Sequence, residues 1–149
     1  MKTLALSLLC LFAPLAHADS ALTESNIHAL YDEMTRAASQ RDIEGVLGLM
    51  SNDVSIKITA AKGSLELDAA KYRQLLQQGW SGLDSYSMAV DIQRIEIAED
   101  GQSATVTDST TENMSMHGHE MSAGMQETAT LRLIDGEPKI TRIEAQISQ

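Results

Sequence analysis

Residues 39–58 read SQRDIEGVLGLMSNDVSIKI, and this stretch decides the fold. Asp42 stands where a helix begins, because its carboxylate accepts bonds from the free N–H groups of a first turn. Ile43, Val46, Leu47 and Met50 then share one face at helical spacing. The period changes at once. Ser51, Asn52 and Asp53 are turn formers. Val54, Ile56 and Ile58 alternate with Ser55 and Lys57, the period of a strand. The stretch predicts a short capped helix, a turn, and then a strand.

Upstream, Ile27, Leu30, Met34, Ala37 and Ala38 mark a helix over about 24–40, with Thr23 as its N-cap. Downstream, Lys62-Gly63 turns the chain back. Asp68 caps a third helix carrying Ala69, Tyr72, Leu75 and Leu76, and Gly79 ends it. Beyond it, strand patterns dominate. Tyr86, Met88, Val90 and Ile92 alternate, and the phase then slips to Ile95 and Ile97, which predicts a β-bulge near Gln93-Arg94. Asp100-Gly101 is a hairpin turn. Residues 102–116, 121–134 and 139–147 read as strands, with a turn at Asp135-Gly136.

The chain has 149 residues, 43% hydrophobic and 21% charged, with 11 Lys and Arg against 21 Asp and Glu. That length holds one domain, which takes roughly 100–200 residues. A net charge of −10 opposes binding to nucleic acid, whose phosphates are met by Lys and Arg. It equally opposes an anionic membrane surface. Aromatics are 3%, too few for a base-stacking platform.

Residues 1–18 read as a cleavable signal peptide. Met1-Lys2 is a positive start, Thr3 to Leu15 is an apolar run too short to span a bilayer, and Ala16-His17-Ala18 fits the small-x-small cleavage rule. The expected product is a periplasmic or secreted domain over 19–149, with no membrane contact after cleavage. It has 131 residues, of which 10 are basic and 21 acidic, and no cysteine, since Cys10 leaves with the leader. Neither disulfides nor thiol chemistry is then available.

Helices first and antiparallel strands after is an α+β pattern. Residues 39–58, with this order of elements, resemble the cystatin-like α+β superfamily typified by nuclear transport factor 2, its SnoaL-like relatives and ketosteroid isomerase. The resemblance covers essentially all of 19–149 and rests on element order. It implies a cone-shaped curved antiparallel sheet wrapping three N-terminal helices, with a pocket at the open end, and a homodimer through the outer sheet face. The fold hosts isomerases, cyclases, dehydratases and inert binding modules, so it does not choose among them. The resemblance puts the isomerase base at Ile58 and the helix tyrosine at Met34, where neither side chain can move a proton. Tyr31 lies one turn earlier and offers a replacement donor. The dehydratase His–Asp pair is not matched, His28 being the one histidine of the first helix. No catalytic residue is assigned. The expected function is a non-catalytic, exported ligand-binding domain. The alternatives are a SnoaL- or isomerase-type small-molecule enzyme working in the cone, and a dimerising interaction module.

The candidate pocket residues are Tyr31, Met34, Trp80, Asp108, Glu112 and Glu127. If Val106 and Leu131 define the core face, a period of two puts Asp108, Thr110, Glu112, Glu127 and Ala129 on it. Carboxylates facing a pocket suit a cationic ligand. Because buried unpaired carboxylates are costly, the expectation leans to strands that have left the core there, with these residues in water. Trp80 and Tyr86, flanking Gly82, read as core or pocket-wall aromatics.

Residues 113–125 read NMSMHGHEMSAGM. Four of the seven methionines beyond the leader, Met114, Met116, Met121 and Met125, lie here with His117 and His119. A two-residue loop at Gly118-His119 predicts a hairpin pairing Met116 with Met121, Met114 with Ala123 and Glu112 with Met125, and it puts all four methionines on one face. Thioether and imidazole donors suit copper, so these six residues form a candidate copper site. Zinc fits less well, since carboxylates such as Glu120 would have to complete it. The plain alternative is packing, because methionine fills irregular apolar space.

Overall fold

Thr23 opens the first helix with a reciprocal cap. Its hydroxyl accepts from the Asn26 N–H at 3.2 Å and its own N–H donates to Asn26 Oδ1 at 2.8 Å. The computed structural model describes residues 20–148, so the leader read at 1–18 lies outside the described residues. Helix α1 (Glu24–Ser39) buries Ile27, Leu30, Tyr31, Met34, Ala37 and Ala38 along one stripe. Asp42 caps α2 (Ile43–Gly48), its Oδ1 accepting from the Gly45 N–H at 2.9 Å.

Strand β1 (Met50–Ala60) follows without the turn expected at residues 51–53. Those residues form a bulge instead. Met50 pairs with Ile140 and Ser55 with Arg142, so this strand advances five residues while its partner advances two. The polar residues are therefore absorbed in the strand, and both Met50 and Ser51 are buried. A short strand that the periodicity did not mark, β2 (Gly63–Leu67), folds back onto β1. Helix α3 (Ala69–Trp80) is capped by Asp68 and runs one residue past the expected stop at Gly79. None of its residues is fully buried, because it leans over a cavity rather than a filled core. An Arg73–Glu44 ion pair joins it to α2.

The rest is sheet: β3 (Ser85–Ile97), β4 (Ser103–Met116), β5 (His119–Ile134) and β6 (Glu137–Ile147). The six strands lie in the order β2-β1-β6-β5-β4-β3. Every pair is antiparallel except β1 with β6. The bulge in β3 falls where the phase slipped, between Ile92 and Arg94. The sheet curves around the helices without closing, and the core forms between its concave face and α1, from residues such as Ile27, Val46, Val106 and Leu131.

The β4–β5 hairpin departs from the expected register. Its loop is His117-Gly118, and Met116 pairs with His119, Met114 with Met121, Glu112 with Ala123 and Thr110 with Met125. His117 has φ 52° and Gly118 φ 77°. Two positive angles make a turn of the type I′ class, whose twist matches the strands, instead of the type II′ turn one residue later. Asp84 holds it by accepting from the Gly118 N–H at 3.2 Å. Each partner moves by two residues, an even number, so every side chain keeps its expected face.

Candidate functional site

Between the helices and the concave face lies a cavity of about 300 Å³. Most of its wall is aliphatic, with Met34, Val46, Ile56 and Leu76 among the contributors. Tyr31, Tyr72 and Tyr86 are the chain's three tyrosines and Trp80 its one tryptophan, and all four line it. Trp80 and Tyr86 pack with ring centroids 5.4 Å apart at 55°. Such tilted pairs contribute beyond the area they bury, and this one forms the wall where α3 gives way to β3.

Polar chemistry enters from β4 and β5. Asp108 is fully buried and lies directly across from Glu127. Water does not satisfy it, contrary to the expectation that these strands had left the core. Tyr31 Oη donates to Asp108 Oδ2 at 3.2 Å and Thr110 Oγ1 to Oδ1 at 3.1 Å. With both oxygens bonded, the burial cost that favoured a wet site is offset. Burial still pushes the Asp108 carboxyl up to about 6, against the lowering effect of the Thr110 and Tyr31 bonds.

Glu127 stands outside that chain of bonds. Its carboxyl lines the cavity. Burial first, then the Asp108 and Glu112 charges, push it up to about 8. A second pair sits nearer the mouth, where Tyr86 Oη donates to Glu112 Oε1 at 2.5 Å. All three tyrosine hydroxyls are held far above their ordinary value, chiefly by burial, with neighbouring carboxylates adding to it. They are neutral donors at any working pH. Glu127 holds its proton at pH 7, and the site offers two tyrosine–carboxyl pairs beside one neutral acid. No Lys, Arg or His lines the cavity among the described residues.

Of the six candidate pocket residues, Tyr31, Met34, Trp80, Glu112 and Glu127 line the cavity, while Asp108 lies behind Tyr31 and Thr110. Met34 and Ile58, the positions matched to the isomerase tyrosine and base, both line it and bring no acid or base. His28 is exposed on the outer side of α1. Sequence reasoning missed Tyr72 as a site residue, and Tyr86 as the partner of Glu112. The signal for Tyr72 was present, since it shares the α3 face with Leu75 and Leu76. Of the hairpin residues, Met114 and Met125 line the cavity, while Met116, His117, His119 and Met121 are exposed.

Residues 27–145 match the model of the SnoaL-like domain. The chain belongs to the SnoaL-like family, within the nuclear-transport-factor-2-like superfamily. Among solved structures, a conserved protein from Planctomyces limnophilus superposes with a TM-score of 0.72 at 16% identity, covering 84% of this chain and 95% of that one. A ketosteroid isomerase-like protein from Erwinia carotovora atroseptica gives 0.65 at 18% identity, with 84% and 95% covered. A type 2 hexachlorocyclohexane dehydrochlorinase gives 0.69 at 12% identity, with 84% of each chain covered. At these identities the likeness is one of fold. No curated protein matches the chain significantly.

Proposed function

We propose that this protein binds a compact, mainly apolar organic molecule in the cone, and that the molecule carries an amino group or another strong hydrogen-bond donor. One observation carries the reading. The apolar wall is broken by carboxyls, tyrosines and the Thr110 hydroxyl, with no cationic side chain among the described residues. An aliphatic and aromatic wall takes up a hydrophobic body. Glu127 and Glu112 accept from its polar end, and Trp80, Tyr72 and Tyr86 offer ring faces to a cation. An amine entering beside Glu127 would draw off its proton, because a positive neighbour lowers a carboxyl pKa.

The test uses three probes sharing one alicyclic skeleton: an amine, an alcohol and a carboxylate. Trp80 lines the cavity, so its fluorescence reports occupancy. The amine should bind at least about tenfold more tightly than the carboxylate, a difference of about 1.4 kcal/mol. Equal binding of all three, or preference for the carboxylate, defeats the reading.

A second reading is favoured by Glu127 itself. A carboxyl held near 8 in a mainly apolar cavity is matched to general acid–base work at neutral pH. Neighbours of this fold include a dehydrochlorinase and an isomerase-like protein, which lends support to proton transfer at carbon. Solvent deuterium appearing in an enolisable ketone probe with the wild type, and not with Glu127→Gln, is the outcome this reading requires.

A further inference from the structure

The β4–β5 hairpin ends in soft donors that the tyrosine–carboxyl site does not use. Met114 lies directly opposite Met121, and Met116 directly opposite His119. By strand alternation all four side chains leave one face. It is the concave face, for Met114 lines the cavity and Met116 Sδ lies 3.9 Å from where a Cβ on Gly82 would stand. Opposed Cβ atoms are about 5 Å apart, and residues two apart along a strand about 7 Å. Three thioethers and one imidazole thus rise from the corners of a small rectangle. Methionine's three rotatable bonds let the sulfurs converge over its centre. Met116 and Met121 are 39% and 44% exposed, far from the burial that a packing role would give them. No group of three or more His, Cys, Asp or Glu is placed to hold a metal ion among the described residues. Three thioethers to one imidazole make the hairpin's donor set soft, and soft sulfur with imidazole selects Cu(I).

We propose that the hairpin tip binds one Cu(I) ion through Met114, Met116, His119 and Met121. His117 forms the turn and Met125 lies deeper, opposite Thr110, so neither is part of the set. The platform is held by the left-handed turn and by the Asp84 bond to Gly118. Met114 is shared with the wall of the cone, so the copper titration is made without any of the organic probes.

The test is an anaerobic titration of the protein with Cu(I) against a chromogenic Cu(I) chelator. Wild type is compared with Met116→Leu/Met121→Leu and with His117→Asn. Leucine keeps the volume and removes the sulfur at two exposed positions, and circular dichroism checks that the fold is retained. Asparagine tolerates the left-handed turn position. The wild type should take up one equivalent. The double leucine variant should bind at least about 100-fold more weakly, since loss of an outer partner alone costs about 10–100-fold. His117→Asn should stay within about threefold of the wild type, having lost no ligand. X-ray absorption of the loaded protein should show sulfur neighbours with nitrogen. The proposal is overturned if the wild type holds Cu(I) no better than the leucine variant, or if His117→Asn loses it as completely. It also falls if neither form takes up copper and the leucine change only turns a dimer into a monomer, which would make the methionine face a contact between copies.

Discussion

Glu127 links the site to the solvent through its proton. The carboxyl of an unfolded chain titrates near 4.5, and in the folded cavity it holds on to about 8. Between those values the folded form binds the extra proton. Its contribution is therefore fully present below about pH 4.5 and is lost as pH rises through about 8. Asp108, raised to about 6, adds a smaller loss of the same sign at lower pH. Glu127→Gln keeps the shape and removes the titration. The variant should melt several degrees above the wild type at about pH 9 and within a degree or two of it at about pH 5. A gap that is the same at both pH values would mean that the carboxyl meets water. Tyr31→Phe makes the complementary point. It strips a donor from the fully buried Asp108 and should cost about 1–3 kcal/mol in urea unfolding. Tyr86→Phe should cost less, because its partner Glu112 is only part-buried.

Among the elements, α2 is short and leans on its cap. Gly45 gives its N–H to Asp42 Oδ1, and a Cβ there would come within 2.6 Å of Asp42 Oδ2. Alanine is the better helix former by about 1 kcal/mol. Gly45→Ala should nonetheless destabilise the protein by about 1–2 kcal/mol, because it displaces the capping carboxylate. A stabilised variant would show that the cap can swing aside. The same scale explains what was legible from residues alone. The caps at Thr23, Asp42 and Asp68, the stripe on α1 and the phase slip at Gln93-Arg94 are local signals, and all three helices and the β3 bulge follow from them. Strand β2 escaped because five residues with an exposed Leu65 give no period to read. The hairpin register slipped because Gly118 suits either of two turns, and the left-handed His117 is visible only in the backbone. The Tyr31–Asp108 bond spans 77 positions, so no local pattern could assign it.

At the scale of the whole molecule, a sheet that wraps without closing leaves space that the helices cannot fill. Leu76 is half-buried in the wall of that space. Leu76→Trp should fill part of it, weaken binding of the amine probe by tenfold or more, and change stability by less than about 1.5 kcal/mol. Undiminished binding in that variant would place the ligand elsewhere. The order of the strands carries a consequence in time. The last of the described strands, β6, lies inside the sheet between β1 and β5, and β1 meets it in the one parallel pairing among the described residues. The sheet therefore cannot be completed until residues 137–147 are in place, and β1 must wait, one edge unsatisfied, for a partner some ninety positions away. Long-range closure of this kind is slow and leaves an open edge exposed to other chains. A chain ending at residue 136 would lack the keystone rather than an outer course, and it should neither melt cooperatively nor stay free of aggregates in light scattering.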